Sequence, residues 1–333
     1  MKKYLFAILC FANLWISCTN PTPPQVAFYY WKTQFRLSES EQQTLHKNHI
    51  KKLYIRYFDL VKSDKQVCYP ESPIHFQTAT NNYDIVPVVY IQNKVFINQQ
   101  DVVALARKTF DFIDQINQKN AITCHEIQLD CDWTLQTKEN YLAFIEAFKK
   151  ISHQSLSATI RLHQVKYYKK TKIPSVNSGV LMYYNMGKIA PDEQNSIYNQ
   201  KVAQKYIQHL DTYPLQLRLA LPIFSWGIQI RDGKIIGLIN KINDNDIEKD
   251  SNFVKIKPHF YTIKQSVYQN GRFYRSGDVL KIEKITENDL ENMIADLKNQ
   301  HFEPKEIIFY DLDEKNTINY EKNIYQKLAH RMY

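Results

Sequence analysis

The segment Glu126-Ile127-Gln128-Leu129-Asp130-Cys131-Asp132-Trp133 carries the residues best suited to chemistry. Its alternation reads as a buried strand, with Gln128, Asp130 and Asp132 on one face and Ile127, Leu129 and Cys131 on the other. Two carboxylates separated by two residue rises, roughly 6.6 Å, suit acid–base catalysis, a metal or a sugar. A core strand has no structural need for them, so Asp130 and Asp132 are the candidate catalytic pair. The competing reading is structural: two aspartates that cap the next helix or pair with a neighbouring strand.

The elements that must position this pair follow from hydrophobic periodicity. Strands are predicted at Val26–Trp31, Leu53–Phe58, Ile85–Ile91, the Asp130 segment, Leu156–Leu162, Val180–Tyr184, Leu215–Leu221 and Ile307–Tyr310. Helices are predicted from Ser38, capped in the Ser-x-x-Glu manner by Ser38 and Glu41, from Gln99 to Asn117, from Lys138 to Ile151, near Ile197 to Leu210, and near Asn288 to Asn299. Eight strands alternating with helices is the count of a (β/α)8 TIM barrel, and an α/β barrel is the fold expected. A doubly wound open sheet usually announces itself by a glycine-rich first turn, and no glycine precedes Gly179. The stretch 223–285 exceeds a minimal barrel. Its glycines and alternating runs predict a β-rich insertion after strand seven, within a single barrel domain spanning 26–333. Asp244 and Asp246 in that insertion read as a solvated turn, since the twelve-residue calcium-loop pattern is missing.

In such a barrel the chemistry sits at the C-terminal ends of the strands. Those ends supply Trp31, Asp59, Asp130, Asp132, Arg161, His163, Tyr184, Asn185, Trp226, Asp311 and Asp313. An acid pair, an arginine, a histidine and several aromatic rings fit a carbohydrate better than a phosphate or dinucleotide. Arg161, His163, Tyr184, Asn185, Trp226, Trp31 and Asp311 are the candidate substrate-binding residues. Arg161 has a plainer reading as counter-ion of a buried aspartate, His163 as a structural hydrogen-bond partner, and Trp226 as a lid.

Three of these segments resemble motifs of the chitinase-like family 18 glycoside hydrolases. Asp130-Cys131-Asp132 is similar to the Asp-x-Asp-x-Glu signature on strand four. Met182-Tyr183-Tyr184-Asn185 is similar to the Met-x-Tyr-Asp motif on strand six, and Leu219-Ala220-Leu221-Pro222-Ile223-Phe224 to the strand-seven region. The chain also resembles an uncharacterised group of bacterial lipoproteins with a glycosidase-like barrel, through Gln128–Trp133, Thr159–Gln164 and Tyr184–Gly187. The family 18 resemblance implies a general acid two residues past Asp132, where this chain has Thr134. A threonine hydroxyl cannot usefully protonate a glycosidic oxygen near neutral pH. Asp132 would then have to be the acid, its pKa raised by burial and by Asp130. Asp59, Asp311 or Asp313 would be its partner.

The N-terminus reads as a targeting segment. Lys2 and Lys3 precede a short apolar run that ends in Trp15-Ile16-Ser17-Cys18 and resembles a bacterial lipoprotein signal. That resemblance implies cleavage after residue 17, lipid on Cys18, and a proline-containing tether over 18–25. The mature protein is expected at the cell envelope, held to the membrane by lipid rather than by a span. Removing Lys2 and Lys3 lowers the formal charge from +9 to +7. The lysines are scattered, and Lys166-Tyr167-Tyr168-Lys169-Lys170 is the longest basic block. The basic surface reads as solvated, and no motif points to nucleic acid. Contact with an anionic glycan or phospholipid stays open. No His/Cys spacing indicates a metal, and no cofactor is expected. Cys68, Cys124 and Cys131 remain after the signal; Cys131 is expected buried, and a Cys68–Cys124 disulfide is possible.

Two functions remain. The favoured one is an envelope lipoprotein whose glycoside-hydrolase-like barrel acts on a glycan; the alternative is a non-catalytic glycan binder on an inactivated barrel. An open cleft with Asp132 facing a second carboxyl at about 5 to 9.5 Å would favour hydrolysis. A closed salt bridge between Asp132 and Arg161 would count against it.

Overall fold

A computed structural model describes residues 22–80, 82–99 and 101–333; the signal, Cys18 and the first half of the tether lie outside the described residues. Eight parallel strands close into a barrel: β1 (Gln25–Tyr30), β2 (Lys52–Lys62), β3 (Asp84–Ile91), β4 (Glu126–Asp130), β5 (Ser155–Arg161), β6 (Ser178–Met182), β7 (Leu217–Pro222) and β8 (Glu306–Tyr310). Each pairs with its neighbour in chain order, and β1 pairs with both β8 and β2, which completes the ring. The fold is therefore a (β/α)8 TIM barrel. Its strands read as near-continuous apolar runs because helices cover their outer faces and side chains fill the inside.

Local chemistry explains the element ends. Ser38 and Glu41 form the full capping box expected for helix Glu39–Lys47. The next helix is Val102–Lys119; it begins later than Gln99 because the Asp101 carboxylate accepts from the Ala104 N–H at 2.8 Å and caps it there. Helices Lys138–Ser152, Gln200–Ile207 and Glu287–Lys298 fall close to their predicted positions. β2 runs longer than predicted, carries an irregularity between Arg56 and Phe58, and pairs at its end with an antiparallel strand, Cys68–Glu71. Cys68, Cys124 and Cys131 are all free, so the possible Cys68–Cys124 disulfide is not formed.

After β7 the chain builds a five-stranded antiparallel sheet from Ser225–Arg231, Lys234–Asn240, Phe253–Lys257, Phe260–Ile263 and Val279–Lys284. It has its own apolar cluster, including Phe253, Tyr261, Leu280 and Ile282. Asp244 departs from the solvated turn expected of it. It is buried and bound by Lys284 at 2.8 Å and by the Tyr261 hydroxyl at 2.7 Å. Those partners lie tens of residues downstream, so the local sequence around Asp244 carries no sign of them.

The lower barrel interior holds charge instead of a purely apolar plug. Lys52 reaches Glu126 at 3.1 Å and Glu306 at 3.3 Å. Arg218 reaches the same two carboxylates at 2.5 and 3.2 Å. Tyr54 donates to Glu306 and Ser157 to Glu126. Burial penalises the Glu126 carboxylate, yet Lys52 and Arg218 outweigh it and hold its pKa below the ordinary value. Two anions and two cations balance only while all four are present. Arg218→Met should therefore cost about 3–5 kcal/mol in urea unfolding, the usual penalty for leaving buried charge unpaired. A cost below about 1 kcal/mol, the range of an exposed pair, would show that the network is not a closed one.

Candidate functional site

β4 sends Gln128 and Asp130 into the barrel and packs Ile127 and Leu129 outward under the helices. The three inward residues of β4 stand at successive heights. Glu126 belongs to the ion network, Gln128 donates to the Tyr29 hydroxyl at 2.8 Å, and Asp130 accepts from the Thr159 hydroxyl at 2.7 Å. Two residues on, Asp132 meets Arg161, two residues beyond Thr159 on β5. The acid pair thus runs alongside a Thr/Arg pair on the next strand.

The two acids differ sharply in environment. Asp130 is 8% exposed. Burial, then the charge of Asp132, pushes its carboxyl up to about 6, against the opposing effects of Thr159 and Arg161. The Asp132 side chain is 46% exposed and accepts two bonds from Arg161, Nε to Oδ1 and Nη2 to Oδ2, both 2.5 Å. The expected assignment of the raised carboxyl is therefore reversed: burial acts on Asp130, while Asp132 has the salt bridge to a neighbouring strand that the structural reading anticipated. Both carboxylate oxygens of Asp132 are thus engaged by one guanidinium fork.

Among the described residues, none of the expected partners Asp59, Asp311 and Asp313 is left unpaired to work with Asp132. Asp59 is in register with Tyr90, and Tyr90 with Asp130, which separates Asp59 from Asp130 by two strand spacings, about 10 Å. Asp59 is held by Arg56 at 2.7 Å. Asp311, expected to bind substrate, is only 3% exposed and is held by Lys241 at 3.2 Å and by the Asn316 amide at 2.6 Å. Asp313 is paired with Lys241 and Lys32. Lys241 comes from the insertion, so these acids fasten the insertion to the barrel rim.

A cleft of about 850 Å³ opens beside the ends of β4, β5 and β6. Asp132, Arg161, His163, Tyr184 and Asn185 all line it. Partial burial and the adjacent Arg161 charge lower the His163 pKa, so its imidazole is neutral at neutral pH. Thr134 lines the cleft as well, but its hydroxyl and backbone N–H both meet the Thr137 hydroxyl in the turn that leads into helix Lys138–Ser152. Asp130 is not part of the cleft wall.

Trp31 and Trp226 lie outside the cleft wall, at the two ends of an aromatic band. Trp31 packs on Tyr310 at 5.3 Å, Tyr310 stacks on Tyr184 at 5.7 Å and meets Phe224 at 5.8 Å, and Phe224 meets Trp226 at 5.3 Å. The Trp226 indole N–H donates to Glu283, its cross-strand partner within the insertion sheet. The residues that sequence reasoning leaves out are Thr159, Tyr167, Lys170 and Tyr206. Tyr167 and Lys170 belong to the basic block read as solvated surface, yet both line the cleft. Nothing local marks Tyr206. Among the described residues no group of three or more His, Cys, Asp or Glu could hold a metal.

No family model matches the chain, and no curated protein is similar enough to count as a relative. Solved structures do match in fold. The chain is similar to the Bacillus cereus spore cortex-lytic enzyme SleL, with a TM-score of 0.59 and 12% identity over 94% of this chain and 75% of that one. It is also similar to the C-terminal domain of a putative chitinase from Desulfitobacterium hafniense, with a TM-score of 0.58 and 9% identity over 94% of this chain and 100% of that one. A third match is an Ostrinia furnacalis Group II chitinase catalytic domain, an E2180L mutant bound to an N-acetylglucosamine oligomer, with a TM-score of 0.52 and 9% identity over 92% and 96%. At these identities the likeness establishes the fold alone, a (β/α)8 barrel.

The Asp130 environment has a measurable consequence. Its folded pKa of about 6 lies above its ordinary value of 3.8, so its contribution to stability is fully present below about pH 4 and is lost as pH rises to about 6. The loss is on the order of 3 kcal/mol. Asp130→Asn removes this titration. The unfolding free energy of the variant relative to wild type should therefore rise between pH 4 and 6 and level off above pH 7. A flat difference across that window would contradict the buried-acid assignment.

Proposed function

We propose that this chain is an envelope lipoprotein that binds a glycan in the cleft beside the Arg161–Asp132 pair, on a hydrolase-like barrel that no longer cuts by the family 18 route. One observation carries the reading: Arg161 occupies both oxygens of Asp132, in a chain with Thr134 where the resembling enzymes keep their acid. Asp132 is then an acceptor for sugar hydroxyls, assisted by the Asn185 amide and the neutral His163 imidazole. The exposed Tyr167 supplies a ring face and edge of the kind that pack on saccharides, and the buried Tyr184 lines the cleft beside it. Lipid on Cys18 would hold this cleft at a membrane surface.

A second reading is favoured by Asp130, whose raised carboxyl is the one group here that can carry a proton near pH 6. It would make the barrel a hydrolase by a different route, after a movement that opens Asp130 to the cleft.

A glycan array joined to a cell-wall digestion screen separates the two. Wild type and Asp132→Asn should both retain a saccharide and release no reducing ends. Release by wild type that disappears in Asp130→Asn or Asp132→Asn would overturn the binding reading in favour of hydrolysis. For the anchor, the full chain expressed in a bacterium should incorporate labelled palmitate, and Cys18→Ser should abolish it. Equal labelling of the two would rule out lipid at Cys18.

A further inference from the structure

We propose that the cleft selects a carboxylate-bearing saccharide, whose acid group is received by the free edge of the Arg161 guanidinium and by Lys170. The proposal rests on the glycan-binding reading and names the class of glycan.

Charge is distributed unevenly around the cleft. The segment from Arg161 to Lys172 contains Arg161, His163, Lys166, Lys169, Lys170 and Lys172, with no acidic residue. Arg161, His163, Tyr167 and Lys170 of this segment line the cleft, and Lys205 of helix Gln200–Ile207 lies against Lys166. Among the described wall residues Asp132 is the one acid, and Arg161 already offsets it. Lys170 lines the cleft and has no ion-pair partner among the described residues.

Arg161 is only half used. Its Nε and Nη2 hold Asp132, while Nη1 makes no hydrogen bond among the described residues. The guanidinium is planar with five donors, so the edge facing away from Asp132 can receive a second carboxylate with the same fork geometry. Asp132 keeps the guanidinium oriented without closing that edge.

Beside this edge the wall is also shaped for a ring. Lys166 lies between two aromatic faces, 5.5 Å from the Tyr167 ring and 5.4 Å from the Tyr206 ring, and its ammonium donates to the Lys205 carbonyl at 3.1 Å. Both tyrosines line the cleft. They are held by a cation that is itself fixed, so they present a set of edges and faces rather than a mobile surface. A sugar ring against Tyr167 would carry its carboxylate toward Lys170 and Arg161. A neutral saccharide would leave these positive charges unanswered.

The test compares tetragalacturonate, its fully methyl-esterified form and N-acetylchitotetraose against the full chain by titration calorimetry at low and high salt. Esterification removes the charge and keeps the rings. Tetragalacturonate should bind at least tenfold tighter than its ester at low salt, and the margin should shrink at high salt as screening requires. Lys170→Glu should remove most of that margin. Asp132→Asn should widen it, because it removes the one negative charge in the wall. Equal binding of acid and ester, or a margin untouched by Lys170→Glu in a variant of unchanged circular dichroism, would overturn the proposal. If chitotetraose or the ester still binds in that case, the glycan-binding reading stands without it. Binding of none of the three would overturn both.

Discussion

The barrel depends on a closed set of charges at its base. Lys52, Glu126, Arg218 and Glu306 come from β2, β4, β7 and β8, so one network links half of the strands across the interior. Buried ions are tolerable only when each finds its opposite and its remaining hydrogen bonds are met, which Tyr54 and Ser157 help to achieve. Because inward side chains recur every second residue, fixing Glu126 in this network also fixes Gln128 and then Asp130 at set heights. The height of the acid in the barrel mouth is thus decided at the opposite end of the strand.

At the mouth, two aspartates two residues apart are made into different chemical objects. Asp130 is buried behind the cleft wall and kept partly protonated near pH 6. Asp132 is half-buried and bridged by Arg161 through both of its oxygens. Hydrolysis by paired carboxyls needs one to donate a proton and the other to stay ionised at a set separation. Here the acid that could donate is shut away from the cleft, and the acid in the cleft is neutralised. The arrangement suits recognition of hydroxyls and charges better than bond cleavage. The insertion supports it from the side, since Lys241 ties the five-stranded sheet to Asp311 and Asp313.

Much of the fold is legible in the chain because the barrel strands are rich in buried apolar residues and end in polar ones. The capping box at Ser38 and the Gly-punctuated insertion are local signals of the same kind. Most of the cleft is legible too: Asp132, Arg161, His163, Tyr184 and Asn185 come together because each sits at or just past a strand end. What is not legible depends on partners remote in sequence. Lys52 and Glu306 are 254 residues apart, so no local pattern reveals the ion network. Strand-end position suggests Asp311 for the mouth, but Lys241 in the insertion claims it. Lys170 and Tyr167 look like surface until the short helices after β5, Leu162–Lys166 and Tyr168–Thr171, set them in the cleft wall. The different burial of Asp130 and Asp132 is likewise invisible, because alternation assigns both to one face and says nothing of depth.

The central claim is that the cleft holds a glycan without cutting it. Its most direct test is prolonged incubation of the full chain with a saccharide it binds, in water enriched in oxygen-18, followed by mass spectrometry of the recovered sugar. The account expects the saccharide to return intact, with no heavy oxygen at a new reducing end. Cleavage with oxygen-18 incorporated by wild type, and lost in Asp130→Asn, would contradict it and show that the buried acid reaches the substrate.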